Sequence, residues 1–518
     1  MHFDMWIRGG IVVDGSGREP PRLADVGVID DRIVAVGRME GATAETVVDA
    51  TGRVVCPGFI DVHIHSEVAL LGGPHRYGAV QQGVTTHLTA PDGFGWAPLP
   101  PDRARQLWEA TLFAHGHSDL DLDWPSVEAY LEIFARNTPA NLVPQVPHCA
   151  VRVAVMGWDP RPATDDEVTR MKTITRQWLE AGATCLNLGL DYQPSAYSDL
   201  RELVELAKVT REYGGIYAAH VRYGILGEAD AWRETMAIGR QADIPVHISH
   251  SSVTDLTAPL LDEARDTCDL TFESHLYPAG CTHLALMLPA WAQVGGPAGI
   301  RQRLRDPGAR AGMRDHLHAA FTREISHGAR AVFVATQTGR YDGKSIEEAA
   351  GDLPIGEFAV RVLEEEYPYA LMIFHWGLPW GLSPAKSLDI VRATIQHPRM
   401  MVASDGVYNG NAGHPRGYGC FAQVLRVCVR ERQLVSLNEA IYKMSGFPAE
   451  RFRIKDRGLL RPGYGADLVI FDPETVADRA TWEQPCLAPV GIDRVIVNGR
   501  TIVLDGLPTG GLPGRVLR

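Results

Sequence analysis

The chain has 518 residues, of which 45% are hydrophobic and 22% are charged, and its formal net charge is −13 at pH 7. This length allows two or three domains, or one large barrel with additions. The negative charge and the lack of a long basic run argue against nucleic acid or an anionic membrane as a partner.

Cysteine usage and the first residues bear on where the protein works. The eight cysteines are scattered without a C-x-x-C pair, which argues against a zinc knuckle or a redox motif. The opening "MHFDMWIRGGIVVDG" lacks the charged-then-apolar plan of a signal peptide, and no uninterrupted apolar run reaches the length of a membrane span. We therefore predict a reduced, cytoplasmic protein, and leave its oligomeric state open.

Both ends of the chain are rich in β-branched runs separated by Gly and Asp turns. "MWIRGGIVVDGSG" and "ADVGVIDDRIVAVGR" lie near the start, and "ADLVIFDPE" and "IDRVIVNGRTIVLDG" lie near the end. Because isolated hairpins are only marginally stable, we expect residues 1–57 and 451–518 to join into one small β-sandwich domain.

Residues 58–450 alternate short apolar strands with amphipathic helices, which predicts a parallel α/β architecture. The number of repeats favours a (β/α)8 TIM barrel, and no Gly-rich phosphate loop follows the first strand. Residues 281–352 interrupt the alternation with charged helices, and we interpret them as an insertion over the barrel mouth. The candidate strands are "GFIDVHIH", "GVTTHLTAP", "NLVPQVPH", "GATCLNLGL", "GIYAAHVR", "IPVHISH", "LTFESHLYP", "YALMIFHWG" and "MMVASDG".

The segment "GFIDVHIHSE" contains two histidines one residue apart on a buried strand. Residues two apart in a strand face the same side, so His63 and His65 project together while Val62 and Ile64 face away. Neutral imidazole is the commonest zinc ligand in proteins, although an H-x-H pair alone is also compatible with two hydrogen-bonded core histidines.

Several other predicted strands also end in histidine or aspartate. Active sites of barrels lie at the carboxyl ends of their strands, and so many crowded imidazoles and carboxylates need shared partners, which a cation supplies. Asp405, in "SDG", is then a candidate general base, although alone it is also typical of a plain Asp-Gly turn. These strand-end residues are His63, His65, Asp92, His148, His220, His250, His275 with Tyr277, His375 and Asp405.

The motifs in their order resemble the amidohydrolase superfamily, and more narrowly the D-aminoacylases, or N-acyl-D-amino-acid deacylases. The likeness rests on "GFIDVHIH", "GGIYAAHVR", "IPVHISHS", "YPAGCTHLALMLPAWAQVGG", "ASDG" followed by "HPRGYGCFAQVLR", and "KMSGFPAERFRIKDRGLLRPGYGADLVIFDP". It covers nearly the whole chain. It implies a metal-dependent hydrolase that cleaves an amide-like C–N bond in a small molecule. The substrate is expected to carry a carboxylate.

The resemblance also implies roles for individual residues. His63 and His65 would bind an outer, weaker metal, and His220 and His250 an inner, tighter one. Asp405 would be the catalytic acid/base. The carboxylate of the substrate would be bound by Tyr277 and Arg416, whose guanidinium fork suits that task.

The sequence departs from the family pattern at several of these places. Asp92 stands where the deacylases have a cysteine ligand, and Ser66 and Glu67 follow the H-x-H pair instead of two aspartates. Ser252 lies near the place of a lysine that faces substrate, and His375 belongs to an aromatic segment that the family pattern lacks. With a carboxylate at Asp92, we expect one or two zinc ions, with manganese, iron or cobalt as alternatives.

Three hypotheses therefore stand. The first is a deacylase-like hydrolase with metal-activated water and Asp405 as general acid/base. The second keeps the site but changes the reaction to cyclic amide or imide hydrolysis, deamination, or a non-hydrolytic lyase or cyclase step of secondary metabolism. The third is a metal-poor pseudoenzyme that serves as a binding protein.

Overall fold

The two ends of the chain meet in one hydrogen-bonded sheet. The computed structural model describes residues 1–326, 329–375, 384–410 and 413–518. Val54–Pro57 joins the halves, because it runs antiparallel to Leu468–Phe471 and parallel to the end of His2–Val12. In the described ranges this sheet has nine strands: His2–Val12, Arg22–Ile29, Arg32–Gly37, Thr43–Asp49, Val54–Pro57, Leu468–Phe471, Ile492–Val497, Arg500–Leu504 and Leu507–Pro508.

This terminal sheet forks at its first strand. His2–Val12 pairs with Thr43–Asp49 along its first half and with Val54–Pro57 along its second half. Val48 on one branch and Leu468 on the other are buried in the same apolar cluster. The predicted small β domain formed from both ends is confirmed in this forked form, since the β-branched runs place apolar side chains on a common inner face.

The middle of the chain forms a barrel of parallel strands. Each strand is a short apolar run, and three of them are interrupted by a break in the hydrogen-bonding ladder. Among the described residues the eight strands are Phe59–Asp61 continued by Ile64–His65, Val84–Leu88, Asn141–Val143 continued by Val146–Pro147, Cys185–Gly189, Ile216–His220, Val246–Ile248, Leu270–Ser274, and Met400–Val402 continued by Gly406–Val407.

The pairing of these strands closes the barrel. Every neighbouring pair is parallel, from Phe59–Asp61 beside Val84–Leu88 to Leu270–Ser274 beside Met400–Val402. The ring is completed where Gly406–Val407 pairs with Ile64–His65. The predicted (β/α)8 barrel is therefore confirmed, and its strand ends bring distant segments of the chain to one face.

Helices follow most barrel strands, as the amphipathic segments predict. Asp165–Glu180, for example, begins with a reciprocal capping box between Thr164 and Glu167. No helix in the described part of the chain is long and apolar enough to cross a membrane. The helices packed on the barrel are Glu67–Leu71, Pro101–Ala110, Leu112–His115, Val127–Glu132, His148–Met156, Asp165–Glu180, Leu200–Glu212, Tyr223–Leu226, Glu228–Ala242, Thr257–Thr267, Pro384–Gln396, Arg416–Gln423, Leu437–Met444 and Gly446–Arg451.

A separate unit lies between the seventh and eighth barrel strands. Leu371–His375 is the central strand of an antiparallel sheet with Ala279–His283 and Arg330–Ala335. The interpretation of "YALMIFHWG" as a barrel strand was wrong, because an apolar run of this length shows burial but not which strands it pairs with. The helices of this separate unit are Ala290–Gln293, Gly296–Arg305, Pro307–Ser326, Ile346–Ala350 and Ile355–Glu366.

The predicted insertion, 281–352, lies inside this unit, which continues to the strand ending at His375. The unit has an apolar core of its own, which includes Phe321, Phe333 and Phe358. The predicted division of the chain at 57/58 and 450/451 stays a prediction. The strands of the terminal sheet all lie outside 58–450.

Candidate metal centre

The H-x-H pair and Asp405 come together at the carboxyl end of the barrel. The Oδ1 atom of Asp405 lies 3.6 Å from Nε2 of His63 and 3.5 Å from Nε2 of His65. All three side chains are largely buried, and their candidate ligand atoms lie within 4.8 Å of one another. This spacing fits three donors around one cation.

The carboxylate of Asp92 faces all four histidines that the resemblance implies as metal ligands. Its Oδ1 atom lies 3.5 Å from Nε2 of His63, 3.8 Å from Nδ1 of His220 and 3.9 Å from Nε2 of His250. Its Oδ2 atom lies 3.7 Å from Nε2 of His65. One carboxylate therefore reaches both pairs of histidines, which is the arrangement of a bridging ligand.

Among the residues that the structure describes, two buried atoms at this centre have no hydrogen-bond partner: Nε2 of His63 and Oδ1 of Asp92. Buried polar atoms without partners are costly, so a shared ligand between them is the physical expectation. A donor set of imidazole nitrogens and carboxylate oxygens fits zinc, and it also accommodates manganese, iron or cobalt. The residues present therefore fit a metal ion.

The charge balance of the centre leads to the same conclusion. Burial acts to lower the pKa of His63, but the neighbouring carboxylates of Asp92, Glu273 and Asp405 raise it to about 10. Three carboxylates around one imidazole make a negatively charged pocket, and a bound cation would balance that charge.

The backbone is unusual at three of the converging residues. Asp92, His250 and Asp405 have φ angles of 54°, 36° and 46°, in the left-handed region that residues other than glycine seldom adopt. Such conformations cluster at functional sites, where the surrounding structure holds them. Asp92 and His250 lie just after barrel strands, and Asp405 lies in the break between Met400–Val402 and Gly406–Val407, so each irregular segment aims its side chain inward.

The first and last barrel strands are tied together beside the centre. The backbone N–H of Asp405 donates to the carbonyl of His63 at 2.8 Å. Asp61 accepts from the backbone N–H groups of His63 (3.2 Å) and Ser404 (3.1 Å) through Oδ1. The H-x-H pair and the "SDG" turn are thus fixed relative to each other, although about 340 residues separate them in sequence.

Two acidic residues that the sequence reasoning missed orient the histidines. Glu273 lies 3.1 Å from Nδ1 of His63, and Asp191 lies 3.1 Å from Nε2 of His220. A carboxylate on one ring nitrogen directs the lone pair of the other nitrogen toward a metal. The available signal was a glutamate inside the buried strand Leu270–Ser274.

Glu67, one of the departures from the family pattern, supports the turn that carries Asp92. Its Oε1 atom accepts a 2.6 Å hydrogen bond from the backbone N–H of Ala90, whose φ is 54°. Burial raises the pKa of Glu67. Glutamate is one methylene longer than the aspartate of the family pattern, and here it reaches the turn that contains Ala90 and Asp92.

Arg416 lies beside the centre, but its guanidinium is already paired with side chains of the protein. Its Nη2 atom lies 2.7 Å from Oδ2 of Asp405, and its Nη1 atom lies 3.1 Å from Nε2 of His275. Although burial alone would raise the pKa of Asp405, Arg416 and the histidines hold it well below its ordinary value. The predicted role of Arg416 in binding a substrate carboxylate requires the guanidinium to exchange partners.

The other predicted substrate residues are Tyr277, Ser252 and His375. Within the described ranges the buried hydroxyl of Tyr277 has no hydrogen-bond partner, and the centroid of its ring lies 5.2 Å from that of His414. Ser252 is half-buried, and its carbonyl accepts a hydrogen bond from Thr257. The backbone of His375 pairs with strands of the inserted unit, and its side chain lies outside the described residues. Their roles stay predictions.

His148, one of the strand-end residues, does not face the centre. Its Nδ1 contacts the hydroxyl of Ser195 at 2.7 Å, and its Nε2 contacts Glu202 at 3.1 Å. His148 is fully buried in this network, so it is a core histidine.

Comparisons with known proteins agree with this geometry. The profile of the Amidohydrolase family matches residues 46–503. The chain belongs to this family. It is 33% identical to D-aminoacylase from Alcaligenes xylosoxydans xylosoxydans over 99% of this chain and 97% of that protein. It is also 34% identical to the N-acyl-D-aspartate deacylase of the same organism, over 99% and 95% of the two chains.

A solved structure of N-acyl-D-glutamate deacylase from Bordetella bronchiseptica superposes with a TM-score of 0.80. It is 29% identical, and the match covers 100% of both chains. That enzyme is complexed with zinc and with a phosphonate inhibitor that mimics the tetrahedral intermediate of its reaction. The predictions of the family and of a metal-dependent amidohydrolase are confirmed, and the pseudoenzyme hypothesis is not supported.

Proposed function

We propose that this protein is a zinc-dependent N-acyl-D-amino-acid deacylase that hydrolyses the amide bond of a small substrate carrying a carboxylate. The observation that carries the proposal is Asp92, whose two oxygens face His63, His65, His220 and His250 beside Asp405. The full-length similarity to D-aminoacylase and to the N-acyl-D-glutamate and N-acyl-D-aspartate deacylases supports the substrate class.

The residues divide into ligands and a proton carrier. We propose His63, His65, Asp92, His220 and His250 as the ligands of one or two zinc ions. When bound, zinc lowers the pKa of water and polarises a carbonyl group. Asp405 then takes a proton from the attacking water through Oδ1 and delivers it to the leaving nitrogen.

Arg416 and Tyr277 are proposed to hold the carboxylate of the substrate. The guanidinium of Arg416 lies next to Asp405, so a bound carboxylate would be held within reach of the acid/base. In the part of the chain that the structure describes, the buried hydroxyl of Tyr277 has no hydrogen-bond partner, so it would be available to donate to the same carboxylate. Ser252 and His375 stay candidate substrate contacts.

The cysteines bear on the cellular compartment in which the enzyme works. The eight cysteines form no disulfide within the described ranges, and five of them are buried, which suits a reducing compartment. We therefore propose a cytoplasmic enzyme whose partner is its small-molecule substrate.

A substrate panel tests the proposed function. Purified protein with measured zinc content would be assayed against N-acetyl-D-amino acids, their L enantiomers, hydantoins and cyclic imides. The proposal expects release of acetate from D substrates, with much slower reaction of L substrates. Hydrolysis of hydantoins or cyclic imides alone would replace it with the cyclic amide hypothesis.

A further inference from the structure

Glu273 is a buried carboxylate on a barrel strand, beside the candidate metal centre. It lies on the strand Leu270–Ser274, whose residues are all buried, and only 1% of its surface is exposed. An unpaired carboxylate at such a place would be strongly destabilising, so its contacts show why the strand tolerates a charge.

Glu273 contacts residues from two other barrel strands. Its Oε1 atom lies 3.1 Å from Nδ1 of His63 and accepts a 2.8 Å hydrogen bond from the backbone N–H of His250. Its Oε2 atom contacts Nε2 of His247. The other nitrogen of His247 lies 2.8 Å from the hydroxyl of Thr271. Both oxygens are therefore engaged.

These contacts act on both groups of candidate metal ligands. When Nδ1–H of His63 donates to Glu273, the lone pair of Nε2 is directed toward Asp92 and Asp405. The bond to the backbone of His250 holds that residue at a φ of 36°, in the left-handed region. One carboxylate thus orients a ligand on each of two strands.

We propose that Glu273 is the positioning residue that couples the two halves of the metal centre, and that its loss weakens zinc binding at both. It is not itself a ligand, because it meets His63 on the ring nitrogen that faces away from Asp92. The inference rests on the proposed function only in that zinc is the metal.

The balance of charges explains why this residue is a glutamate. Oε1 lies 3.1 Å from Nδ1 of His63 and Oε2 contacts Nε2 of His247, so each oxygen of the carboxylate has an imidazole partner. A glutamine would keep the volume and one oxygen acceptor, but it would remove the negative charge that makes His63 a better donor to a cation.

The test is zinc affinity, measured by competition with a chelator for purified Glu273→Gln and Glu273→Asp. Glutamine keeps the shape without the charge, and aspartate keeps the charge but is one methylene too short to reach His63. We expect zinc binding to weaken about 10–100-fold in both variants, with kcat lowered more than KM changes. The circular-dichroism spectrum and cooperative unfolding should stay those of the parent.

Glu366→Gln is the matched control. Glu366 is also fully buried, but both of its oxygens accept hydrogen bonds from Thr338 in the inserted unit. This control should bind zinc as the parent does.

Parental zinc affinity in either folded Glu273 variant would overturn the proposal. Failure of both variants to fold in the presence of zinc would also overturn it, by assigning Glu273 to folding instead. The zinc measurement needs no substrate, so a parent that binds zinc but leaves N-acyl-D-amino acids intact would refute the proposed function alone.

Discussion

Asp405 uses its two carboxylate oxygens in different ways. Oδ2 lies 2.7 Å from Nη2 of Arg416, whereas Oδ1 faces Nε2 of His63 at 3.6 Å and Nε2 of His65 at 3.5 Å. One oxygen is thus placed to exchange a proton at the metal centre, while the other binds the group proposed to hold the substrate. If the proposed roles of Asp405 and Arg416 are right, this one side chain links catalysis to substrate binding.

Asp405→Asn keeps the shape of the side chain and removes the base. We expect kcat to fall by a factor on the order of 10² to 10⁴, because general acid–base catalysis contributes that much. Zinc content should be measured beside the rate, to show that the centre is intact. A near-parental rate would assign the base elsewhere, with His375 the next candidate.

Arg416→Lys keeps the charge but loses the bidentate fork. KM for substrates with a carboxylate should rise by about 10–100-fold, the range of a lost charged hydrogen bond. Steady-state kinetics on an N-acetyl-D-amino acid and on its amide, which lacks the carboxylate, measure the effect. Arg426→Lys is the control, because Arg426 pairs with Asp478 and Glu431. An unchanged KM in Arg416→Lys would remove Arg416 from substrate binding.

Asp92→Ala removes the carboxylate that faces both histidine pairs. We expect lower metal occupancy in the purified variant, and Asp92→Cys should restore occupancy with a shift toward zinc, because thiolate is the softer ligand. Elemental analysis measures both.

Asp14→Ala provides the turn control for Asp92, since Asp14 is another buried aspartate that precedes a glycine. If Asp92→Ala retains the parental metal content and identity, Asp92 is only a turn residue and the centre is built from histidines.

Stability should fall in acid partly because of His87. This histidine is 1% exposed on the strand Val84–Leu88, and burial lowers its pKa to about 3, from 6.5 in an unfolded chain. Its contribution is fully present above pH 6.5. Between pH 6.5 and 3 the unfolded chain binds a proton that the folded protein does not, which costs about 1.4 kcal/mol per pH unit.

Urea unfolding of the parent and of His87→Gln between pH 7.5 and 5 measures this contribution. The free energy of unfolding of the parent should fall more steeply below pH 6.5 than that of the variant. His2→Gln, at an exposed histidine, should follow the parent. Parallel curves for parent and His87→Gln would show that His87 is protonated in the folded state.

Local patterns predicted many residues of the candidate metal centre. The H-x-H spacing places His63 and His65 on one side of a strand, and strand-end positions indicated His220, His250 and Asp405. Closure of the barrel then brings these residues together, because parallel strands share a carboxyl edge. The sequence could therefore predict the candidate ligands before their distances were known.

Other features depend on contacts that spacing does not encode. Leu371–His375 pairs with two antiparallel strands, one about 90 residues earlier in the chain, and its apolar pattern is equally typical of a barrel strand. Glu273 and Asp191 act through the far nitrogens of His63 and His220, so their roles appear only once the rings are oriented. The pairing of Arg416 with Asp405 likewise joins the start of a helix to the break in the last barrel strand, which only the fold brings together.

The most direct test of the whole account is turnover of an N-acetyl-D-amino acid by one preparation in three states: as purified, after chelation to remove metal, and after zinc is returned. His220→Ala and His250→Ala accompany the parent. The account predicts activity that is lost on chelation and restored by zinc in the parent, with little bound metal or activity in either variant. Full turnover by rigorously metal-free parent protein would contradict it.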